Sequence, residues 1–169
     1  MSRTMARRGL VALSLVAALA VPTAVLAATI NGTDGPDTLA GTEEADTIHG
    51  LAGNDAIAGL GGNDMLYGDE GADVIRGGYG ADLIRGGDGP DRLGGEAGND
   101  VIGGGNGNDI IRGGGGNDRI YGGYGNDVII VAYDNAADAV DCGPGWDVVT
   151  FGPRDIVSAN CERRIRVSE

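Results

Sequence analysis

The chain has 169 residues, of which 34 are glycine and only one each are tryptophan and phenylalanine, and its formal charge is −13. All twelve basic residues are arginine, and this excess of acid excludes the basic surface that nucleic-acid binding requires. A chain this acidic stays unfolded, repels itself or binds cations.

The first 27 residues have the pattern of a secretory signal peptide. Arg7 and Arg8 precede an apolar run at 10–20, and the small residues before Ala28 suit a signal peptidase. A membrane anchor is the alternative, but the apolar run is short for a membrane-spanning helix. We therefore predict cleavage after Ala27, a secreted extracellular protein without a membrane span, and a mature charge of −16.

After a short lead-in at 28–31, a nine-residue period continues without insertion over 32–130. Each of the eleven repeats has Gly at position one, Asp at position six and Leu or Ile at position eight. A fixed period of this kind sets the architecture of the whole segment. The aspartates are Asp37, Asp46, Asp55, Asp64, Asp73, Asp82, Asp91, Asp100, Asp109, Asp118 and Asp127.

One repeat, residues 77–85, shows what each can form. Its six glycine-rich residues predict a tight turn, and its last three predict a minimal strand that buries Ile84. One repeat cannot fold alone, so two successive repeats should close a coil, and coils should stack into a solenoid. Odd and even repeats would then form two parallel sheets around a thin aliphatic core.

Stacking also predicts a cation. Aspartates of alternate repeats would form columns of carboxylates that repel one another, and eleven aliphatic side chains bury little apolar surface for 99 residues. Carboxylates and turn carbonyls are hard oxygen ligands, and flexible oxygen coordination favours Ca²⁺ over Zn²⁺ or Cu²⁺. Mg²⁺ is the alternative, although it tolerates irregular geometry poorly.

The run Gly-Gly-x-Gly-x-Asp-x-Leu/Ile-x resembles the nonapeptide repeat of RTX, or hemolysin-type calcium-binding, proteins. Eleven copies in register make the match specific. The resemblance implies an all-β fold, a parallel β-roll in which each Ca²⁺ lies between repeats n and n+2. Its ligands would be turn carbonyls and the aspartates of both repeats, in up to nine sites from Asp37/Asp55 to Asp109/Asp127.

The fit to that pattern varies along the chain. Position two is Gly in most later repeats but carries larger residues in earlier ones, and Glu44 replaces Gly at position four. A bulky residue where φ is positive is strained. We therefore expect tight sites over about 77–127 and weaker ones near the N-terminus. The glycines expected to supply carbonyls are Gly77, Gly80, Gly86, Gly89, Gly104, Gly107, Gly113, Gly116, Gly122 and Gly125.

The register breaks after Asp127, and residues 131–169 are predicted to cap the solenoid. Within them, residues 143–149 resemble a degenerate repeat around Asp147. Two cysteines in a secreted chain usually pair, so we predict a disulfide between Cys142 and Cys161.

These features favour a secreted protein that binds Ca²⁺, folds on doing so and has no catalytic activity. The sequence has no Ser/His/acid set or zinc motif, and its single histidine, His49, is interpreted as a surface residue. The alternatives are an adhesive, matrix or ice-binding solenoid, or an accessory module of an RTX-type enzyme or toxin. Arginines on the outer strand faces either contact a partner or offset local acid charge, and we favour the second interpretation.

Overall fold

The fold is taken from a computed structural model that describes residues 26–131 and 134–167. The predicted signal peptide therefore lies almost wholly outside the described residues. Within these ranges there are sixteen strands and no helix, and so no helix that could cross a membrane. The strands are β1 (Thr29–Asn31), β2 (Thr38–Ala40), β3 (Thr47–His49), β4 (Ala56–Gly61), β5 (Met65–Glu70), β6 (Val74–Tyr79), β7 (Leu83–Asp88), β8 (Arg92–Ala97), β9 (Val101–Asn106), β10 (Ile110–Gly115), β11 (Arg119–Tyr124), β12 (Val128–Ile130), β13 (Ala139–Asp141), β14 (Val148–Phe151), β15 (Ile156–Val157) and β16 (Arg163–Arg166).

The strands form two parallel eight-stranded sheets, one of odd-numbered and one of even-numbered strands. Through the repeats each residue pairs with the residue 18 positions later, as Ile84 pairs with Ile102. This is the register expected when two nine-residue repeats close one coil. The prediction of an all-β parallel β-roll is confirmed.

The strands from β4 to β11 have six residues, not the three predicted. The predicted turn half at positions one to three remains in the ladder, where Gly78 pairs with Leu60 on one side and with Glu96 on the other. Gly78 keeps these pairs with a φ of 116°. The prediction of a six-residue turn was therefore wrong. Glycine-rich residues indicate a turn in sequence, but here their backbone forms hydrogen bonds with the neighbouring coils.

The core is a double row of aliphatic side chains between the sheets. Position eight of every repeat from the second onward is buried. Ile84, Ile102 and Ile120 stack along the odd-numbered sheet and have no exposed surface. Each coil thus covers the apolar side chain of the next, as a solenoid requires.

The C-terminal segment continues the roll. Strands β13 to β16 extend both sheets, and Val128 pairs with Val148 at a spacing of 20 residues. The two extra residues lie between Val131 and Asp138. Cys142 and Cys161 form the predicted disulfide, with their Cα atoms 5.3 Å apart. At the end of the roll, Arg164 donates hydrogen bonds to the carbonyls of Cys161 and Ser158.

Candidate metal centre

The aspartates at position six form two columns, one along each edge of the roll. In each column the backbone N–H of one aspartate donates a hydrogen bond to Oδ1 of the aspartate one coil later. Asp73 donates to Asp91 at 2.8 Å, and Asp91 donates to Asp109 at 2.9 Å. The eleven predicted aspartates are all brought together in this way, and the aspartates from Asp46 to Asp127 are at most 2% exposed.

The second oxygen of each carboxylate is unsatisfied from the third repeat onward. Oδ2 of these aspartates is buried and has no hydrogen-bond partner among the described residues. Leaving a buried charged oxygen without a partner is strongly unfavourable. The aspartates concerned are Asp55, Asp64, Asp73, Asp82, Asp91, Asp100, Asp109, Asp118, Asp127, Asp138 and Asp147.

From Asp55 to Asp109 the unsatisfied Oδ2 faces a small oxygen-lined space, which we call the cradle. At Asp91 the cradle is bounded by the Cα of Gly86, by Asp91 Oδ2 and by the carbonyl oxygen of Gly104 on the next coil. A Cβ on Gly86 would collide with both oxygens. Glycine at position one therefore keeps the cradle open between two coils.

The predicted glycines divide into two groups. Carbonyls at position one lie in cradles, and they belong to Gly77, Gly86, Gly104, Gly113 and Gly122. Position-four glycines lie at the turn instead, each packed against the carbonyl of the glycine one coil earlier. They are Gly80, Gly89, Gly107, Gly116 and Gly125. The structure thus separates carbonyls beside the buried carboxylates from carbonyls that stack along the outer turns.

A comparison with protein-family models agrees with this geometry. The model for the RTX calcium-binding nonapeptide repeat (4 copies) matches residues 31–66, 67–102 and 103–131, which is more than half of the chain. The chain belongs to this RTX family. A search of curated proteins finds none that matches the chain.

The donor set of this RTX roll fits a hard divalent cation. No group of three His, Cys, Asp or Glu side chains converges on one point within residues 26–131 and 134–167. A cation bound along the columns would therefore need backbone carbonyls as well as carboxylates for ligands. Buried Oδ2 atoms beside glycine carbonyls provide an all-oxygen environment, which Ca²⁺ prefers and Zn²⁺ does not.

The first two repeats of the RTX roll differ, because threonine occupies position two. The N–H and the hydroxyl of Thr33 donate to Asp37 Oδ2 at 2.6 and 3.0 Å. Thr42 contacts Asp46 Oδ2 in the same way, with its hydroxyl at 3.0 Å. These two carboxylates are satisfied by their own repeats, which the sequence did not reveal.

The larger position-two residues after the first two repeats have positive φ angles, which is the strained conformation that the sequence predicts for them. They are Leu51, Leu60, Asp69 and Glu96, with φ between 71° and 79°. The position-one carbonyls of their repeats still lie beside the aspartate of the preceding coil, as in the other repeats. They belong to Gly50, Gly59, Gly68 and Gly95. These four carbonyls were missed by sequence reasoning, although position one is Gly in every repeat. The expected gradient of site strength along the roll stays a prediction.

Two further aspartates in the C-terminal segment, Asp138 and Asp147, join the columns, which then end on Asp155 and Glu162. The N–H of Asp118 donates to Asp138 Oδ1 and that of Asp127 donates to Asp147 Oδ1, both at 2.8 Å. Asp138 was missed because the two-residue insertion hides the nine-residue period. The first position of their repeats holds Val131 and Cys142 in place of glycine. Both side chains carry a Cβ where the earlier cradles are open.

Burial shifts the pKa of several aspartates in the central coils of the RTX roll. Burial raises the pKa of Asp91 and of Asp118 to about 7, and that of Asp127 to about 6. The N–H donated from the preceding coil opposes this shift, while neighbouring carboxylates add to it. At Asp46, burial also favours the neutral form, but the N–H groups of Ala28 and Thr42 and the Thr42 hydroxyl lower the pKa overall. Burial therefore favours the neutral carboxyl at Asp91, Asp118 and Asp127, whereas the hydrogen bonds at Asp46 favour its carboxylate.

Proposed function

We propose that this RTX protein is a secreted, non-catalytic calcium-binding β-roll that folds when Ca²⁺ binds outside the cell. The observation that carries the proposal is the series of buried Asp Oδ2 atoms without partners, which from Asp55 to Asp109 each lie beside a glycine carbonyl of the next coil. Bound Ca²⁺ would supply the positive charge that these oxygens lack.

The proposed ligands are the column aspartates from Asp37 to Asp127 and the position-one carbonyls beside them. Because consecutive aspartates of a column are hydrogen-bonded, each carboxylate takes part in two neighbouring coils. Filling one cradle fixes the aspartate that borders the next. We therefore expect Ca²⁺ to bind cooperatively, with up to nine ions between repeats n and n+2.

The absence of catalysis is part of the proposal and is supported by the surroundings of His49. Its ring stacks on Tyr67 with centroids 4.4 Å apart, and Nδ1 lies 3.2 Å from Asp69 Oδ2. Both partners lie on the outer surface, beside no cradle. These contacts suit a surface aromatic stack.

A calcium titration tests the folding switch. The mature chain from Ala28 is followed by far-UV circular dichroism in EDTA and then with Ca²⁺ or Mg²⁺. We expect a disordered spectrum in EDTA, a steep cooperative gain of β signal with Ca²⁺, and a much weaker response to Mg²⁺. A β spectrum that EDTA leaves unchanged would show that the roll does not need the cation.

Secretion is tested separately. The full chain is expressed in a secreting bacterial host, and the N-terminus of protein recovered from the medium is sequenced. We expect it to begin at Ala28. Retention of an intact N-terminus in the membrane fraction would favour the anchor over the signal peptide.

A further inference from the structure

The outer face of the even-numbered sheet carries a groove that the calcium sites do not use. It has a volume of about 560 Å³ and crosses strands β6, β8 and β10. Arg76, Arg92 and Arg112 all line it and are exposed. In a chain with a formal charge of −13, three arginines around one groove form a local basic patch.

The centre of the patch is a notch at Gly94. The side chain of Arg76 lies one coil before it in the same column, that of Arg112 one coil after it, and Arg92 two residues earlier on the same strand. A Cβ on Gly94 would meet nothing within 4 Å. The missing side chain thus leaves room for a ligand group among three guanidinium groups.

Only one of these three arginines contacts an acid among the described residues. Within the described residues the only carboxylate within 4.0 Å of any of them is Glu96, whose Oε1 lies 3.9 Å from Arg76 Nε. Arg92 and Arg112 have no such partner there. The interpretation that outer arginines merely offset local acid charge therefore fits Arg76 but lacks supporting ion pairs at Arg92 and Arg112.

Apolar side chains complete the groove. Val74 and Ile110 flank Arg92 in its own column and are 37% and 36% exposed. A groove of this volume is in the size range of small-molecule sites. Its combination of guanidinium groups with exposed aliphatic side chains matches a ligand that has an anionic head and an apolar body.

We propose that this groove binds a small amphipathic oxyanion. Its carboxylate or sulfate head would lie over Gly94 and accept hydrogen bonds from Arg76, Arg92 and Arg112, because guanidinium forks suit planar oxyanions. Its apolar body would cover Val74 and Ile110. A long polyanion fits less well, because the acidic remainder of the chain would repel it.

The test uses the calcium-loaded full chain and the fluorescent sulfonate 1-anilinonaphthalene-8-sulfonate, with N-phenyl-1-naphthylamine as its neutral analogue. We expect saturable binding of the sulfonate at one site per chain and at least tenfold weaker binding of the neutral analogue. Circular dichroism of every variant at the same calcium concentration separates loss of the groove from loss of the roll.

Matched variants on the two sheets decide the location. Arg92→Gln and Arg112→Gln should each weaken sulfonate binding about tenfold, while Arg119→Gln on the opposite sheet removes the same charge without effect. Gly94→Leu should block the notch, and Gly103→Leu is its control, since Gly103 also has open space over its Cα. Equal effects on both sheets, or no binding by the folded chain, would overturn the proposal.

Two further measurements identify the ligand chemistry. Glu96→Gln removes the one carboxylate in the groove, so sulfonate binding should strengthen several-fold. Competition by octanoate and by octyl sulfate distinguishes a carboxylate head from a sulfate head, and displacement by either supports the site. Displacement by a heparin oligosaccharide, but by neither amphiphile, would make the groove a polyanion site and contradict the proposal.

Discussion

The first two repeats and the nine that follow hold the same aspartate in different surroundings. In the first two, Asp37 Oδ2 and Asp46 Oδ2 accept hydrogen bonds from Thr33 and Thr42. In the repeats from Asp55 onward the corresponding oxygen is buried without a partner. The early repeats also have three-residue strands, and their position-four residues lack the positive φ of the later ones.

This difference shows that one residue type determines how a repeat balances its buried charge. A threonine at position two supplies an N–H and a hydroxyl, so the carboxylate is satisfied within its own repeat. The residues at that position in later repeats leave the oxygen facing the cradle. Repeats whose Oδ2 is satisfied by threonine therefore precede repeats whose buried Oδ2 has no hydrogen-bond partner among the described residues.

The largest expected effect concerns the turns. Gly89→Ala places a Cβ against the carbonyl of Gly71 at a φ of 126°, and it should lower the free energy of unfolding by about 3 kcal/mol in calcium. Gly35 occupies the same position in the first repeat, where a Cβ has open space, so Gly35→Ala should change it by under about 0.5 kcal/mol. Urea unfolding followed by circular dichroism measures both. Equal losses of unfolding free energy would mean that the turns at Gly35 and Gly89 have the same conformation and packing.

The next effect concerns the carboxylates. Asp91→Asn removes a buried charge beside an open cradle, and it should weaken calcium-dependent folding by about 2 kcal/mol. Asp37→Asn removes a charge that Thr33 already satisfies, so its effect should be under about 1 kcal/mol. The calcium concentration at half-maximal β signal, measured for both variants, compares the two regions. A larger shift for Asp37→Asn would contradict the distinction.

In the metal-free chain, the early and the central repeats should contribute to stability with opposite dependence on pH. Asp91 and Asp118 have a pKa of about 7 in the fold, above the ordinary 3.8, so their contribution is fully present below 3.8 and is lost as pH rises through 7. The lowered pKa of Asp46 acts oppositely, since its contribution is present above 3.8 and is lost on acidification. With EDTA, circular dichroism should therefore show β signal increasing as pH falls from about 7 towards 4. A β signal that decreases over that range would contradict the raised pKa values of Asp91 and Asp118.

The smallest effect tests the threonine itself. Thr42→Val removes the hydroxyl that lies 3.0 Å from Asp46 Oδ2 but keeps the backbone contact. It should destabilise the folded chain by about 1 kcal/mol and raise the pKa of Asp46, which NMR titration measures in calcium. Thr42→Ser retains the hydroxyl and should leave both unchanged. No change in Thr42→Val would show that the hydroxyl does not satisfy the carboxylate.

The period predicts much of this fold because each repeat has the same role in every coil. Asp91 and Asp109 are 18 residues apart in sequence and hydrogen-bonded in space, as two repeats per coil require. The aliphatic core and the two-sheet arrangement follow from the same spacing. The RTX resemblance implies the same class of fold, a parallel β-roll.

Other features could not be read from the period. Strand length was underestimated because glycine-rich residues such as Gly78 look like turn residues while their backbone pairs with two neighbours. Asp138 was hidden by an insertion of two residues that the fold absorbs between strands. The protection of Asp37 by Thr33 depends on a local contact, and a threonine in sequence carries no information about where its hydroxyl points.

The hydrogen bonds between coils give the roll a direction. Each aspartate N–H is satisfied by a carboxylate that comes later in the chain, as Asp73 is by Asp91, so every coil is completed by its successor. At the C-terminal end, Glu162 takes the place of that successor and accepts from Asp147 N–H at 2.8 Å. A C-terminal cut therefore leaves aspartate N–H groups without acceptors, and an N-terminal cut leaves Oδ1 atoms without donors and orphans N–H groups such as that of Arg92, which donates to the carbonyl of Asp73. Asp155 and Glu162 thus supply the acceptors for the last two aspartates of the columns, Asp138 and Asp147.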